Sequence, residues 1–358
     1  MMWRLGLLVL AQAVNRDLQA AARRAGGAKA LWDCDQGRLP SVLGRDDDAL
    51  RAWKAARKAF STEWAMEELA RQGAWWSAQL PPSIDALVDP PFALVGRGSP
   101  LGRAEDGVPV VAVVGSRRPT ARGLSFARSL ASDLCRQGAV VVSGLALGID
   151  AAAHQGALDA GGSTIAVLGS SVDQIAPRTN LRLAERIIVS GGTVLSEYWF
   201  ETPPAPWRFP ARNRVVAGIA DAVVVVEAAE RSGALITADF ALDLGRPVLA
   251  VPGPAGATMS QGCHHLLRAG AALCERAEDV VAELDGFRWL GENAGPAVPE
   301  GGPDAVVFDE VLREPQLVDE LAETCGLSTA EIVSALGRLE IDGLVARDAL
   351  NRYSARGR

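Results

Sequence analysis

Short apolar runs alternate with amphipathic stretches along the middle of the chain. The run at 110–114 is followed by Gly115 and three polar residues, and then by an amphipathic stretch at 123–137. A second apolar run, 139–142, ends at Ser143 and Gly144. Apolar runs bounded by glycine indicate buried strands, and the amphipathic stretch between them indicates a helix. The pattern therefore predicts a strand–helix–strand unit with a glycine-bearing loop after each strand.

The same alternation continues to about residue 284. The further apolar runs lie at 164–168, 193–195, 222–226 and 248–251. Helical patterns separate them: one entered through Pro177 and Asn180, one from about Arg212 to Gly218, and one at 234–244. The apolar runs are continuous, as in strands that are covered on both faces. The sequence therefore predicts an α/β fold with a doubly wound, mainly parallel sheet.

The regions on either side of this alternation have their own patterns. Residues 1–80 are rich in alanine and tryptophan at helical spacing, which predicts a small helical domain with a tryptophan core. Segment 89–96 contains two prolines and predicts a turn and an edge strand, since proline cannot donate to a central ladder. The predicted domains are 1–80, 81–288, a Gly/Pro-rich linker at 289–303, and 304–358, where three helices and a hairpin indicate a winged helix.

Composition limits the classes of function. The chain has 358 residues, 49% of them hydrophobic, a mean hydropathy of +0.12 and a net charge of -7. An acidic body restricts any nucleic-acid site to a local basic patch. The five cysteines form no CxxC pair, and the apolar run at 5–10 is short for a secretory signal, so we expect a buried helix there and a cytoplasmic protein. No apolar stretch approaches the ~18 residues of a membrane span.

Arginines are concentrated in the loops of the predicted sheet. Residues 115–128 contain four arginines and no acid, and residues 177–214 contain six arginines against three acids. Guanidinium groups after a strand, beside a helix N-terminus, favour phosphate oxygens. Because these loops leave successive strands, we expect their arginines to meet at one edge of the sheet, where an extended phosphate backbone would fit better than one mononucleotide. The 304–358 segment has a net charge of -5, which favours protein contact over DNA there.

The sequence lacks the residue patterns of dinucleotide binding, metal binding and nucleophilic catalysis. The first loop has no GxGxxG pattern and the second strand ends without an acid, so a nicotinamide dinucleotide is not expected. His154 lies in a helical pattern and His264 and His265 are adjacent, which predicts no metal set. No serine or cysteine nucleophile with a neighbouring base is evident. These residues therefore indicate no nicotinamide cofactor, no metal site and no nucleophile with its base.

A set of motifs between about 110 and 284 is similar to those of the bacterial DNA-processing protein A family (DprA, also called Smf). They are Val114-Gly115-Ser116-Arg117, Ser143-Gly144-Leu145-Ala146 with Gly148-Ile149-Asp150, Pro177-x-x-Asn180, Leu195-Ser196-Glu197-Tyr198, Phe209-Pro210-x-Arg212-Asn213-Arg214, Ser232-Gly233-Ala234-Leu235-Ile236-Thr237 and Val251-Pro252-Gly253. The resemblance implies an extended Rossmann-like domain between an N-terminal helical, SAM-like domain and a C-terminal winged helix. It also implies a homodimer that binds single-stranded DNA and loads the RecA recombinase during natural transformation.

The motif arginines and their neighbours are the predicted DNA-binding residues. These are Gly115, Ser116, Arg117, Arg118, Gly144, Arg178, Asn180, Arg182, Arg212, Asn213 and Arg214. All of these arginines except Arg182 would contact phosphates, Gly115 and Gly144 would give backbone access, and the asparagines would hold loops or bases. The sequence departs from the family pattern at Leu147, Ala176 and His264, where a basic residue, tyrosine and asparagine are common.

Two other functions stay open at this point. A nucleotide phosphoribohydrolase could use Ser232–Thr237 as a phosphate loop and Glu227 as its acid, although the PGGxGTxxE loop of those enzymes is absent. A transcription factor could act through the winged helix, although the negative charge of that segment disfavours contact with a duplex.

Overall fold

The chain folds into two compact units, Met1–Trp289 and Leu290–Arg358. The structure, a computed structural model, describes residues 2–14, 18–44, 46–101, 107–284, 289, 301–341, 344–348 and 351–355. Most of the predicted linker, 290–300, lies outside the described residues. Within those described, no helix combines the length and apolar content needed to cross a membrane.

One nine-stranded sheet organises the first unit. Its strands are β1 (Ala74–Ser77), β2 (Leu94–Gly98), β3 (Val110–Val114), β4 (Val140–Ser143), β5 (Thr164–Leu168), β6 (Thr193–Ser196), β7 (Ala222–Val225), β8 (Val248–Ala250) and β9 (Ala272–Leu273). Their spatial order is β1-β2-β6-β5-β4-β3-β7-β8-β9. The pairs from β6 through β9 are parallel, whereas β2 pairs antiparallel with both β1 and β6. The predicted mainly parallel sheet is confirmed.

Helices cover both faces of this sheet. They are α7 (Pro82–Asp85), α8 (Ala121–Arg136), α9 (Ile149–Asp159), α10 (Leu181–Val189), α11 (Arg208–Ile219), α12 (Gly233–Asp243), α13 (Gln261–Arg268) and α14 (Ala277–Ala282). Successive residues of a strand point to opposite faces of the sheet. In β3, the side chains of Val111 and Val113 therefore lie in the core under α8 and α9. Its Ala112 and Val114 enter the core under α11 and α12. The predicted doubly wound architecture is therefore confirmed.

The prediction of an edge strand at 89–96 is wrong. Strand β2 is internal, because β1 pairs with its other side. Pro90 and Pro91 precede the first strand residue, Leu94, so they remove no hydrogen bond from the ladder. The edge is β1, a four-residue strand within the region predicted to be helical.

The rest of the N-terminal region is helical, as predicted. Its helices are α1 (Met2–Val14), α2 (Gln19–Ala25), α3 (Ala28–Trp32), α4 (Leu39–Leu43), α5 (Asp47–Ala59) and α6 (Thr62–Arg71). Leu7, Leu10 and Trp53 belong to one buried cluster, whereas Trp64 is 44% exposed and is an exception to the predicted tryptophan core. The predicted boundary of a separate domain at residue 80 and its SAM-like character stay predictions.

The second unit has three helices and a two-stranded antiparallel sheet. The helices are α15 (Gly302–Arg313), α16 (Val318–Cys325) and α17 (Thr329–Ile341), and the strands are β10 (Val345–Arg347) and β11 (Tyr353–Ala355). This is the predicted winged-helix pattern. The start of α15 corrects the predicted linker end at residue 303, because Pro303 lies in the first turn of the helix, where its missing N–H costs nothing.

Candidate functional site

A cavity of about 530 Å³ opens at the carboxyl ends of the central strands. From β3 the chain moves outward through β4, β5 and β6, and then returns to place β7 on the other side of β3. The cavity therefore lies at the point where the strand order reverses, the usual ligand position in such sheets. Seven predicted site residues line it, namely Gly115, Ser116, Arg117, Arg118, Gly144, Arg212 and Asn213. We call it the arginine cavity.

Arg117 and Arg118 supply exposed positive charge at the mouth of this cavity. The side chains of these two residues make no ion pair or hydrogen bond with the described residues. The Arg117 guanidinium lies 5.2 Å from the centroid of the Phe209 ring, which also lines the cavity. A cation over an aromatic face is attracted to it while the guanidinium N–H groups can still donate. The two arginines can therefore accept an anionic ligand without breaking a bond of the fold.

The two predicted glycines are required by packing. A Cβ at Gly115 would come within 2.7 Å of Ile149 Cγ1, and a Cβ at Gly144 would collide with the Arg212 guanidinium. These glycines were predicted to give a ligand access to the backbone. The structure shows instead that side chains of the fold occupy the space beside them. Gly233, at the start of α12, has open space at its Cβ position.

Arg212 is only 3% exposed, and its guanidinium braces the carboxyl ends of two strands. Its Nη1 donates to the carbonyl of Gly144 at 2.5 Å and to the carbonyl of Val167. Burial lowers the pKa of Arg212 to about 10, so the group stays charged at neutral pH. Arg212 was predicted to contact phosphate; its Nη1 is engaged with backbone carbonyls, and the phosphate contact stays a prediction. Its charge still lies in the wall of the cavity.

Arg214 does not line the arginine cavity. Its guanidinium forms two 2.6 Å hydrogen bonds to the Glu197 carboxylate, and its Nε donates to the Asp89 carbonyl at 2.8 Å. Both side chains of this ion pair are 10% exposed. Two helix positions differ by about 200° around the axis, so Arg214 and Arg212 leave α11 on different faces. Arg214 is therefore engaged in an ion pair of the fold, and its predicted phosphate contact stays a prediction.

Asn180 holds a loop, one of the two roles predicted for it. Its Nδ2 donates to the carbonyls of Leu145 and Ala146, at 3.0 and 3.2 Å. The loop needs this support, because Leu145 has a φ of 55°, which L residues rarely adopt. Asn180 and Arg182 line a separate open groove beside α8, α9 and α10, and Arg178 is exposed without lining the arginine cavity. Of the arginines predicted to meet at this edge of the sheet, Arg117, Arg118 and Arg212 thus line the arginine cavity and Arg182 lines the neighbouring groove.

Sequence reasoning missed Asp150 as a site residue, although it stands in the quoted Gly148-Ile149-Asp150 motif. Its Oδ2 accepts from the backbone N–H groups of Gly144 and Ala146 at 3.2 and 3.3 Å. Burial raises the pKa of Asp150, and the nearby Arg212 charge opposes that shift. Asp150 thus holds the loop behind the cavity, and the positive charge of buried Arg212 stabilises its carboxylate.

Glu227, the acid of the phosphoribohydrolase alternative, caps a helix. Its carboxylate accepts from the Thr120 N–H at 2.8 Å and from the Thr120 hydroxyl at 2.6 Å, at the N-terminus of α8. The Thr120 hydroxyl in turn accepts from the Gly123 N–H. Negative charge at this end of a helix stabilises it. Because the carboxylate already serves the fold, it is poorly placed to act as a general acid.

The fold is that of an α/β protein with a mainly parallel sheet, whose strand order reverses beside arginine-bearing loops, and with a winged helix after the sheet. A family model for DNA recombination-mediator protein A matches residues 73–285, and one for the DprA winged helix domain matches residues 292–349. The chain therefore belongs to the DNA recombination-mediator protein A (DprA/Smf) family. The resemblance stated from the motifs is confirmed, and with it a role in DNA processing.

Individual relatives agree with this assignment. Protein Smf of Escherichia coli is 39% identical over 280 residues, which are 74% of this chain and 72% of that protein. The X-ray structure of DNA processing protein A from Streptococcus pneumoniae has a TM-score of 0.63 at 32% identity and covers 77% of this chain and 96% of that one. A Helicobacter pylori structure, described for the single-stranded DNA binding mode of its DNA processing protein A, has a TM-score of 0.53 at 31% identity and covers 58% and 94%. The names of the two solved structures describe DNA processing proteins.

Proposed function

We propose that this chain binds single-stranded DNA in the arginine cavity without sequence preference and loads RecA onto incoming strands during natural transformation. The observation that carries the proposal is the pair of exposed arginines, Arg117 and Arg118, whose side chains make no ion pair or hydrogen bond with the described residues. Family membership supports the mediator role, and the H. pylori relative is described as binding single-stranded DNA. Cytoplasmic localisation follows from this role as part of the same proposal.

The lining of the cavity suits a single strand better than a duplex. Phe209, Pro206 and Pro210 lie beside the arginines, so apolar surface accompanies positive charge. Unpaired bases expose apolar faces that stack on such surfaces, whereas a duplex offers mainly its phosphates. Phosphate contacts and stacking are both insensitive to base identity, which supports binding without sequence preference.

We propose no catalysed reaction for this cavity. Asp150 and Glu227 are both engaged in holding loops or helices, as described above. A general acid or base needs a proton-transferring group within reach of the substrate. The protein would act by positioning a strand, without a cofactor.

A salt series measured by fluorescence anisotropy tests the binding proposal. Labelled single-stranded and duplex oligonucleotides of mixed sequence are titrated with the native chain and with Arg117→Ala. We expect preferential single-strand binding, and we expect Arg117→Ala to reduce the slope of log K against log salt by about 0.7, the value for one phosphate contact. Arg136→Ala is the matched control, because it removes an exposed arginine about 22 Å away along α8.

The arginine cavity is not the DNA site if Arg117→Ala binds as tightly as the native chain, or if the affinity does not change with salt. RecA loading is then measured with the same variants, as RecA ATPase activity on strands already covered by a single-strand binding protein. We expect Arg117→Ala to lower this stimulation and Arg136→Ala to leave it unchanged.

We also propose that the protein is a homodimer. Leu242 on α12 and Leu273 on the edge strand β9 are 55% and 48% exposed, which supports an interface on this side of the sheet. By contrast, Ala238 on the same helix and Leu266 on α13 belong to the core. Sedimentation velocity should show a dimer that Leu242→Asp converts to monomer. A native chain that stays monomeric at micromolar concentration would contradict this part of the proposal.

A further inference from the structure

A second cavity, of about 270 Å³, lies on another side of α11. Trp207, Tyr198 and Phe240 provide aromatic lining, and Thr202 and Arg208 are among the polar residues. The acidic residues of the lining are Asp89, Glu197, which is paired with Arg214, and Asp243. The volume is slightly below the usual range of about 300–1,000 Å³ for drug-sized ligands. We call it the aromatic cavity.

The two cavities share the start of α11 as their common wall. Trp207 and Ala211, four positions apart, line the aromatic cavity, and so does Arg214 three positions further. Phe209 and Asn213 line the arginine cavity with the same spacing. Residues four apart lie on one face of a helix. The two cavities are therefore lined by different faces of the same turns of α11. A ligand that passes over this end of the helix can therefore reach both.

Trp207 stands at the mouth of the aromatic cavity with 47% of its surface exposed. The Arg208 guanidinium lies 4.9 Å from the Trp207 ring and 5.0 Å from the Tyr198 ring, and this arrangement holds the indole beside a cation. An exposed indole of this kind offers a flat apolar surface of the type on which unpaired bases stack.

Thr202 lies deeper and has an unused hydroxyl. The residue is 2% exposed, and its Oγ1 has no hydrogen-bond partner among the described residues. Its backbone is satisfied, because the carbonyl accepts from Ser171 and the N–H donates to Ser171 Oγ. A buried hydroxyl without a partner is costly, and a ligand that brings a donor or an acceptor removes that cost.

We propose that the aromatic cavity receives one nucleobase of the strand held in the arginine cavity, with Trp207 as its stacking surface and Thr202 as a hydrogen-bond partner for the base edge. The proposal rests on the proposed single-strand binding. A helix with its side chains is about 10 Å across. At a rise of about 3.4 Å per nucleotide, a strand crosses it within about three nucleotides. The occupied base would therefore lie about three positions from the phosphates at Arg117.

The test compares the binding of several protein variants to strands with and without bases. Full-length native protein, Trp207→Ala and Arg117→Ala are titrated by anisotropy with oligo-dT and with an oligonucleotide of the same length that lacks all its bases. We expect Trp207→Ala to weaken binding to oligo-dT about tenfold and to leave binding to the abasic strand unchanged, because only the base contacts the indole. Trp64→Ala, at a tryptophan of similar exposure outside the cavity lining, should change neither affinity.

Two further variants exclude misfolding as the cause. Trp207→Phe keeps an aromatic face and should restore most of the affinity for oligo-dT. Thr202→Val removes the unpaired hydroxyl at nearly constant shape, so it should not lower the melting temperature, yet it should weaken oligo-dT binding several-fold. An equal loss on both strands, or no loss with Trp207→Ala, would overturn the proposal. If Arg117→Ala also leaves both affinities unchanged, the proposed single-strand site itself fails; if Arg117→Ala weakens both, only the base pocket is rejected.

Discussion

Two arginines of α11, placed two positions apart, occupy different environments. Arg212 braces the strand ends at the arginine cavity, whereas Arg214 is paired with Glu197 on another face of the helix. Both stand in the same short motif, and residue type alone could not separate them. The difference depends on which carboxylates and carbonyls the distant strands bring to each face. Site residues in exposed loops, such as Arg117 and Arg118, were predictable because a loop after a buried strand opens to solvent.

Loss of Arg214 should destabilise the fold with little effect on DNA affinity. Arg214→Met leaves the Glu197 carboxylate buried without its cation, which costs about 3 kcal/mol of unfolding free energy. Arg136→Met removes an exposed pair with Asp133 at 65% side-chain exposure and should cost less than about 1 kcal/mol. Urea unfolding measures both values. If Arg214→Met is as stable as the native chain but binds DNA more weakly, Arg214 contacts DNA.

His154 should make stability depend on pH in mildly acidic solution. It is fully buried, its Nδ1 is paired with Thr164 Oγ1 at 2.8 Å, and burial together with the Arg212 charge lowers its pKa to about 3. Between this value and about 6.5, the unfolded chain binds the proton and the folded chain does not. Stability is therefore complete above about pH 6.5 and falls with decreasing pH, by up to about 1.4 kcal/mol per unit.

Substitution isolates this contribution. The raised pKa of Asp150 acts in the opposite direction, because the folded state then holds its proton more tightly than the unfolded state. His154→Leu removes only the histidine part, so its unfolding free energy between pH 6.5 and 4 should decrease less steeply than that of the native chain. Parallel curves for the two proteins would show that His154 is not the neutral buried group described here.

At the scale of elements, buried strands were the easiest to predict. The apolar runs at 110–114 and 164–168 coincide with β3 and β5, because strands covered on both faces need continuous apolar sequence. Strand β1 was missed because Ala74–Ser77 is short, half-buried and follows directly on helical sequence. The position of β2 was misread because the sequence does not show that the earlier strand β1 pairs with its outer side.

The N-terminus of α8 should be sensitive to the loss of one hydroxyl. Thr120 Oγ1 accepts from the Gly123 N–H at 3.0 Å and donates to Glu227, so it links the loop of the arginine cavity to the helix. Thr120→Ala should lower the unfolding free energy by about 1–2 kcal/mol, as expected for a lost N-cap. Thr120→Ser keeps the hydroxyl and should recover most of that stability. Urea denaturation of the three proteins gives the comparison, and equal stability of Thr120→Ala and native protein would contradict the capping role.

At the scale of the whole molecule, the two units have separate cores. The core of the second unit is formed by residues of its own helices and hairpin, among them Val307, Leu321 and Leu336. The sequence predicted this winged helix from its helix and turn spacing. It also predicted weak affinity for DNA there, from the net charge of -5 over 304–358.

The surface of α17 agrees with that expectation. In a winged helix the corresponding helix usually enters the major groove and needs cations to do so. Arg338 is the one basic residue in the sequence of α17, and its guanidinium is bound to the Asp304 carboxylate at 2.6 and 2.8 Å. Glu331 and Glu340 are exposed on the same helix. A phosphate backbone would meet net negative charge on this surface.

Removal of the second unit should therefore leave DNA binding intact. A chain that ends at Trp289 keeps every residue of the arginine cavity and should bind single strands within about twofold of the full chain, with the same salt slope, because no phosphate contact is lost. Anisotropy with oligo-dT measures this, and Arg117→Ala in the shortened chain serves as the negative control. Thermal unfolding of the shortened chain should remain cooperative, since its core is complete. A loss of more than tenfold in affinity, with a shallower salt slope, would instead place phosphate contacts on the winged helix in spite of its charge.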